Sequence, residues 1–185
     1  MKELSLNVLD IAENSVKAGA TLIRIHIEET EETLTLTVTD DGCGMTEEIL
    51  ERVTNPFCTT RTTRKVGLGI PLLKLAAEQT GGTVTIRSKH VSLFPEEHGT
   101  ELVALFYKTH IDFTPMGDII STVTTLIQGS PGIDFEFVHT DPKGEVLLDT
   151  RQVREVLGEE IPLSEPDVIR WIAEYLKEQY GSKKN

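Results

Sequence analysis

The sequence predicts a mixed α/β (α+β) fold, and three kinds of segment carry that reading. Residues 4–18 and 68–80 repeat apolar side chains every three or four positions, the period of a helix with one buried face. Residues 22–28, 33–39, 83–88 and 99–107 read as strands, mostly by alternating apolar and polar side chains. Between them lie glycine-rich corners, of which Asp40-Asp-Gly-Cys-Gly-Met45 is the most distinctive. A chain of 185 residues has room for one domain with a full core, or one domain with an appendage.

In the first helix Leu4, Val8, Ile11, Ala12, Ser15 and Ala18 form the apolar stripe, widened by Leu9 and Val16. The other side carries Asn7, Asp10 and Asn14, with Lys17 a further turn along. Asparagine and aspartate are poor helix formers, so such a ridge is either a solvated face or one turned to a ligand. Gly19 ends the helix in the left-handed C′ role. Residues 22–28 and 33–39, joined by an acidic turn, read as a hairpin, with His26 on its polar phase. At its exit Gly42 and Gly44 let the chain turn and let a flat ligand approach, while Asp40 accepts hydrogen bonds from an amino group. Taken alone, the same hexapeptide reads equally as a tight turn. Thr46, Glu47 and Glu48 open a short helix to about Val53.

Residues 55–69 lack apolar periodicity and collect four threonines with Arg61, Arg64 and Lys65 in an otherwise acidic chain. That composition suits a loop closing over an anion, or a polar surface loop. Gly67 and Gly69 stand at the start of the next helix, whose unpaired N–H groups offer a phosphate site, and Pro71 is tolerated in its first turn. Gly81-Gly82 stops it. Beyond residue 110 the pattern predicts a helix over 114–128, strands over 133–139 and 146–149 around Asp141-Pro-Lys-Gly, and helices near 150–157 and 165–180. Trp171 and Tyr175, one turn apart beside Ile172 and Leu176, predict a face packed into the core, favoured over an exposed partner site.

Thirty acidic residues against eighteen basic ones give a formal charge of −12, which argues against a nucleic-acid surface and against docking on anionic lipid. No run approaches the ~18 apolar residues of a membrane span and no signal peptide follows Met1, so a cytoplasmic protein is expected. Cys43 and Cys58 have neither metal-ligand nor redox-motif spacing and are expected as free thiols.

The standard phosphate loops are missing: there is no Gly-x-x-x-x-Gly-Lys-Ser/Thr, and Gly67-Leu-Gly-Ile-Pro-Leu lacks the third glycine of a dinucleotide fingerprint. Instead the order of a polar-ridged helix with Asn14, Asp40-x-Gly-x-Gly, a basic loop ending Gly67-x-Gly69, and Gly99-Thr100 resembles the GHKL ATP-binding domain of gyrase, heat-shock chaperones, histidine kinases and mismatch-repair proteins. The resemblance spans roughly residues 4–107. It implies a Bergerat-type two-layer α/β sandwich with a mixed, mainly antiparallel sheet over residues 1–109. Residues 110–185 then form a small α+β extension, packed on the core or used for association, self-association included. The implied ligands are ATP and Mg²⁺. Asn14 matches the metal-holding asparagine, Lys17 a lysine aimed at a phosphate, and Asp40 the acceptor of the adenine amino group. Gly42 and Gly44 match the glycines lining the base, and Thr100 a threonine supporting that edge through water. Gly67 and Gly69, with Leu68 between them, match the backbone that meets the phosphates, and Arg61, Arg64 or Lys65 would close over the last one.

Glu13-Asn-Ser-Val-Lys-Ala-Gly-Ala-Thr is similar to the mismatch-repair version, whereas Pro56-Phe-Cys-Thr-Thr-Arg followed by Gly67-Leu-Gly-Ile is similar to the histidine-kinase lid, the branch favoured here. Asp10 stands four residues before Asn14, where hydrolysing members and anti-sigma kinases carry a glutamate base. It would either deprotonate the nucleophile or order metal-bound water. No helical hairpin with an acceptor histidine precedes the domain in this sequence, and none of His26, His90, His98, His110 and His139 has an acceptor-like context. The implied function is a stand-alone histidine-kinase-like or anti-sigma-like kinase acting on a partner protein. The alternatives are an ATPase or nucleotide-gated switch, or a binding module without turnover.

Overall fold

The computed structural model describes residues 3–54 and 68–183. In chain order the elements are α1 (Leu4–Lys17), β1 (Leu22–Glu29), β2 (Thr33–Asp40), α2 (Glu47–Thr54), α3 (Gly69–Gln79), β3 (Thr83–Lys89) and β4 (Gly99–Tyr107). They continue with α4 (Ile119–Gly129), β5 (Asp134–Asp141), β6 (Gly144–Asp149), α5 (Thr150–Leu157) and α6 (Pro166–Ser182). The six strands form one sheet in the order β3-β4-β2-β1-β5-β6. Every neighbouring pair is antiparallel except β1 and β5, which run parallel. The mixed, mainly antiparallel sheet is the one the sequence implied.

Pleating sorts each strand's side chains onto two faces. Ile23, Ile25 and Ile27 of β1, Leu34, Leu36 and Val38 of β2, Leu102, Ala104 and Phe106 of β4, and Phe135 and Phe137 of β5 share the buried one. The opposite face, with Arg24, His26, Thr35, Thr37 and Glu136, is polar and partly exposed. The helices supply the second layer, α1 packing between α3 and α4, and α4 against α6. Leu4, Val8, Ile11 and Ala12 are the apolar stripe of α1 and enter the same core.

Residues after 110 share that sheet and core. Parallel pairing of β5 with β1 needs a crossover rather than a hairpin, and α4 lies on it. β6 then returns through the Asp141-Pro142-Lys143-Gly144 turn, where Asp141 Oδ1 accepts from the N–H groups of Lys143 and Gly144. The helix expected from residue 114 begins only at Ile119. Pro115 and Met116 give their carbonyls to the N–H groups of Leu4 and Ser5 (2.9 and 2.8 Å), capping α1, which has no side-chain cap of its own. Gly117 turns with φ +75°, and Asp118 caps α4 by accepting from Ser121 N–H.

The expected burial of Trp171 and Tyr175 is corrected. Trp171 is 51% and Tyr175 37% exposed, their rings stacked 5.2 Å apart. The buried stripe of α6 is Val168, Ile172 and Leu176, and a step of one residue turns the aromatic pair about 100° off it.

A buried polar chain ties the end of α6 to the sheet. Glu29 accepts from His139 Nε2 (2.9 Å) and Lys108 Nζ (2.6 Å), and His139 Nδ1 meets the Tyr180 hydroxyl at 2.7 Å. The His139 hydrogen bond, helped by Lys108 and opposed by burial, lowers the Glu29 pKa to about 2. Burial and the neighbouring carboxylates of Glu29 and Asp141 push the Tyr180 phenol up. Because the folded pKa of Glu29 is depressed, its contribution is full above the ordinary value of 4.5 and is lost as pH falls towards about 2. Glu29→Gln is expected to lower unfolding free energy at neutral pH by about 2 kcal/mol. Urea denaturation at stepped pH should also show a shallower acid limb in that variant.

Candidate functional site

Where α1 crosses the ends of β2, β3 and β4, a cavity of about 240 Å³ opens beside α2 and α3. Asn14, Asp40, Gly44 and Thr100 line it, with apolar walls that include Ile86 and Leu102. Strand register accounts for the polar end. Asp40, the last residue of β2, pairs with Thr100 of β4, and Thr100 pairs with Ser88 of β3, so three polar residues stand in a row across the sheet. Ser88 Oγ accepts from Met45 N–H (2.7 Å), donates to the Gly99 carbonyl (3.1 Å) and lies 2.8 Å from Thr100 Oγ1.

Both oxygens of Asp40 are held. Oδ1 accepts from Gly42 N–H at 2.9 Å, and Oδ2 accepts from Ser15 Oγ at 2.5 Å. Each oxygen keeps a further lone pair, so the carboxylate is oriented without being saturated. Ser15 sits in the buried stripe of α1, beside Asn14. One hydrogen bond therefore fixes the helix carrying Asn14 against the strand carrying Asp40. The neighbouring Asp41 does something else: it accepts from Thr21 Oγ1 and from the N–H groups of Thr21 and Leu22. Burial alone would raise its pKa, but these hydrogen bonds outweigh it and hold the carboxyl below the usual range.

The corner after Asp40 is possible only with glycine at position 44. There φ is +70°, and a Cβ would stand 2.0 Å from the Lys89 carbonyl oxygen. The β3–β4 loop holds this corner through Val91 N–H to the Cys43 carbonyl (2.8 Å) and His98 Nδ1 to the Gly42 carbonyl (2.6 Å). At the other end of the cleft Gly69 opens α3, where a Cβ would stand 2.8 Å from Cβ of Asp10. The missing side chain brings the start of α3 against α1 beside Asp10. Leu68, its N-cap residue, gives no side-chain hydrogen bond to that helix start, where the N–H groups of Gly69 and Ile70 have no partner inside the helix.

Of the residues singled out in the sequence, Asn14, Asp40, Gly44 and Thr100 come together on one cavity. Gly42 lies beneath the corner, against Ala18. Asp10 is one turn from Asn14 and next to Gly69, outside the lining, and Lys17 is exposed at the last turn of α1. Leu68 is 71% exposed ahead of α3. Arg61, Arg64, Lys65, Gly67 and Cys58 lie outside the described residues. Cys43 is an exposed free thiol. Sequence reasoning missed Ser15, Ser88 and His98. A hydroxyl in an otherwise apolar helical stripe was the available signal for Ser15; nothing local marks the other two. Asn7, on the same ridge as Asn14, is 2% exposed, and its Nδ2 has no partner among the described residues.

Residues 2–110 match the family described as histidine kinase-, DNA gyrase B-, and HSP90-like ATPase. The chain belongs to this ATPase family. Sporulation kinase A of Bacillus subtilis (strain 168) is 32% identical over 108 residues, which is 58% of this chain and 16% of that protein. The chain spans only 16% and 15% of the length of the curated relatives it matches. Among solved structures, the Aquifex aeolicus MutL ATPase domain complexed with ADP superposes with a TM-score of 0.52 at 16% identity, covering 85% of this chain and 69% of that one. The N-terminal domain of a DNA repair protein gives a TM-score of 0.51 at 16% identity, covering 80% and 53%. At such identity these two show a shared fold. That fold is the α/β sandwich of the ATPase family, and its members are ATP-binding domains.

Gly44→Ala is expected to destabilise this ATPase-family domain by about 2 kcal/mol, or roughly 4–8 °C in Tm by calorimetry. Gly129→Ala is the control: a Cβ there meets nothing within 4 Å, and Tm should hold or rise slightly.

Proposed function

We propose that the cleft binds Mg-ATP with adenine against Asp40, and that the chain is an ATP-dependent kinase of the histidine-kinase or anti-sigma type acting on a partner protein. The observation that carries this is the convergence of an oriented, unsaturated Asp40 carboxylate and the Asn14 amide on one cavity. In this reading the exocyclic amine of adenine donates to Asp40, and Thr100 supports the same edge through water. Gly44 and the apolar walls take the faces of the ring. The volume of about 240 Å³ is below the ~300–1,000 Å³ of drug-sized sites, which suits a base rather than a whole nucleotide.

The phosphates would then lie towards the start of α3, where the Gly69 N–H and the helix dipole favour negative charge. Lys17, Arg61, Arg64 and Lys65 are the cations proposed to meet them. The donor set fits magnesium: among the described residues no three His, Cys, Asp or Glu side chains cluster to hold a metal. One amide oxygen from Asn14 suits an ion held mainly by phosphate oxygens and water. When bound, such an ion would neutralise phosphate charge. Asp10, one turn from Asn14, is the proposed acceptor of the proton of an attacking hydroxyl or water, or else orders metal-bound water.

Sporulation kinase A supports the kinase reading over the matched domain. All five histidines lie on strands or loops, among them His26 against Glu136 and His139 against Glu29. That placement supports a phosphoryl acceptor outside these residues. The second reading, an ATPase or nucleotide-gated switch, is supported by the description of the matched family as ATPases.

Asp40→Asn is expected to weaken ATP binding in calorimetry by 1 to 3 kcal/mol, about 5- to 150-fold. An unchanged affinity would remove the base from this pocket. Asp10→Asn should leave ATP affinity within about threefold while slowing turnover by roughly 10²-fold or more. Label from γ-labelled ATP recovered on a co-expressed protein favours the kinase; release only as inorganic phosphate favours the ATPase.

A further inference from the structure

A second cavity, larger than the proposed nucleotide cleft, lies on other elements of the fold. It measures about 560 Å³ and lies between β6, α5 and α6, walled by Leu147, Val153, Val156, Val168, Trp171 and Tyr175. Val156 is 87% exposed, and with Leu147 and the stacked aromatic pair it presents an open apolar surface. We infer that this groove is the docking site for an amphipathic α-helix of a partner protein, apolar on one face and flanked by lysine or arginine.

Charge selects the partner. Asp149 and Asp167 stand at the groove, and Glu174 and Glu178 follow Trp171 and Tyr175 by one turn of α6. Glu155 adjoins Val156 on α5, and Glu159 follows just after the helix ends at Gly158. Glu155, Glu159, Glu174 and Glu178 are exposed and make no ion pair among the described residues. The nearby arginines are engaged instead, Arg151 with Asp149 and Glu136, Arg154 with Asp134, and Arg170 with Asp167, while Lys177, between Glu174 and Glu178 on α6, is exposed and leaves the four glutamates in excess. The rim is acidic on an apolar floor, and a second copy of a chain of charge −12 would bring the same acids to it.

Backbone pairing selects a helix over a strand. β6 is an edge strand, yet at Leu147, on the border of the groove, its edge is already closed. Gln179 Nε2 donates to the Leu147 carbonyl, and Gln179 Oε1 accepts from Leu147 N–H, both at 2.9 Å. An added strand would have to break both bonds. A helix brings its own backbone bonds satisfied and needs only side-chain pockets, with aromatic side chains such as Trp171 the usual anchors.

Trp171 is the only tryptophan, so its emission reports the groove in the unmodified chain. The test titrates the full chain with a synthetic peptide of roughly 18 residues, about five helical turns, with leucines at i, i+3, i+4 and i+7 and lysines elsewhere. A saturable one-to-one blue shift is expected, weakened about tenfold or more in Val156→Asp. That substitution lies on an exposed position and adds negative charge, so attraction by charge alone would strengthen binding. The inference is overturned by an absent or unsaturable shift, by binding unchanged or tighter in Val156→Asp, or by equal binding of the peptide with glutamate replacing lysine. It is also overturned if the chain alone forms dimers in sedimentation that Val156→Asp abolishes, because the occupant is then a second copy.

Discussion

The hydrogen bond from Ser15 to Asp40 is the constraint on which the site depends. A helix packed on a sheet through aliphatic side chains can slide or roll by an ångström at little cost, since dispersion contacts are individually weak and non-directional. A 2.5 Å bond between a buried hydroxyl and a carboxylate is directional and allows no such freedom. It sets the α1 ridge with Asn14 opposite the end of β2, and Gly42 N–H fixes the second oxygen of the same carboxylate. The polar end of the cavity is thereby organised before any ligand arrives.

The second constraint is steric. Gly44 lets the chain double back over Lys89, and Gly69 lets α3 start against Asp10. Both are places where a single methyl group would push apart the elements that frame the cleft. The β3–β4 loop then clamps the corner through Cys43 and His98. The cleft is therefore built from backbone proximity and a few fixed polar groups, while the larger cavity near α6 is built from exposed apolar side chains. The two differ in kind as much as in place, one suited to a polar small molecule and the other to the side of a helix.

Much of the architecture could be read from the chain. The strands on either side of Asp40 follow from alternation, and α1, α3 and α6 from their apolar stripes, because each period is set by backbone geometry that neighbours cannot alter. Reading failed where a local pattern had to be weighed against a distant partner. Residues 114–118 looked helical, yet the carbonyls of Pro115 and Met116 go to the start of α1. Trp171 and Tyr175 looked like core beside Ile172 and Leu176, yet the stripe that meets α4 and β6 leaves them outside. Ser15 looked like one more small residue in an apolar row, and its partner is twenty-five residues away.

By itself the sequence determined the order of helices and strands, the glycine corner after Asp40, and the residues proposed to meet a nucleotide. All of these are local: spacing along one chain and the conformational freedom of glycine. Only the tertiary structure decided that Asp40 turns inward while Asp41 turns to Thr21, that Asn14 and Thr100 share a cavity, and that the last third of the chain extends the same sheet in parallel through β5. These depend on strand register and on which elements cross, which are fixed by the fit of the whole core rather than by any one segment.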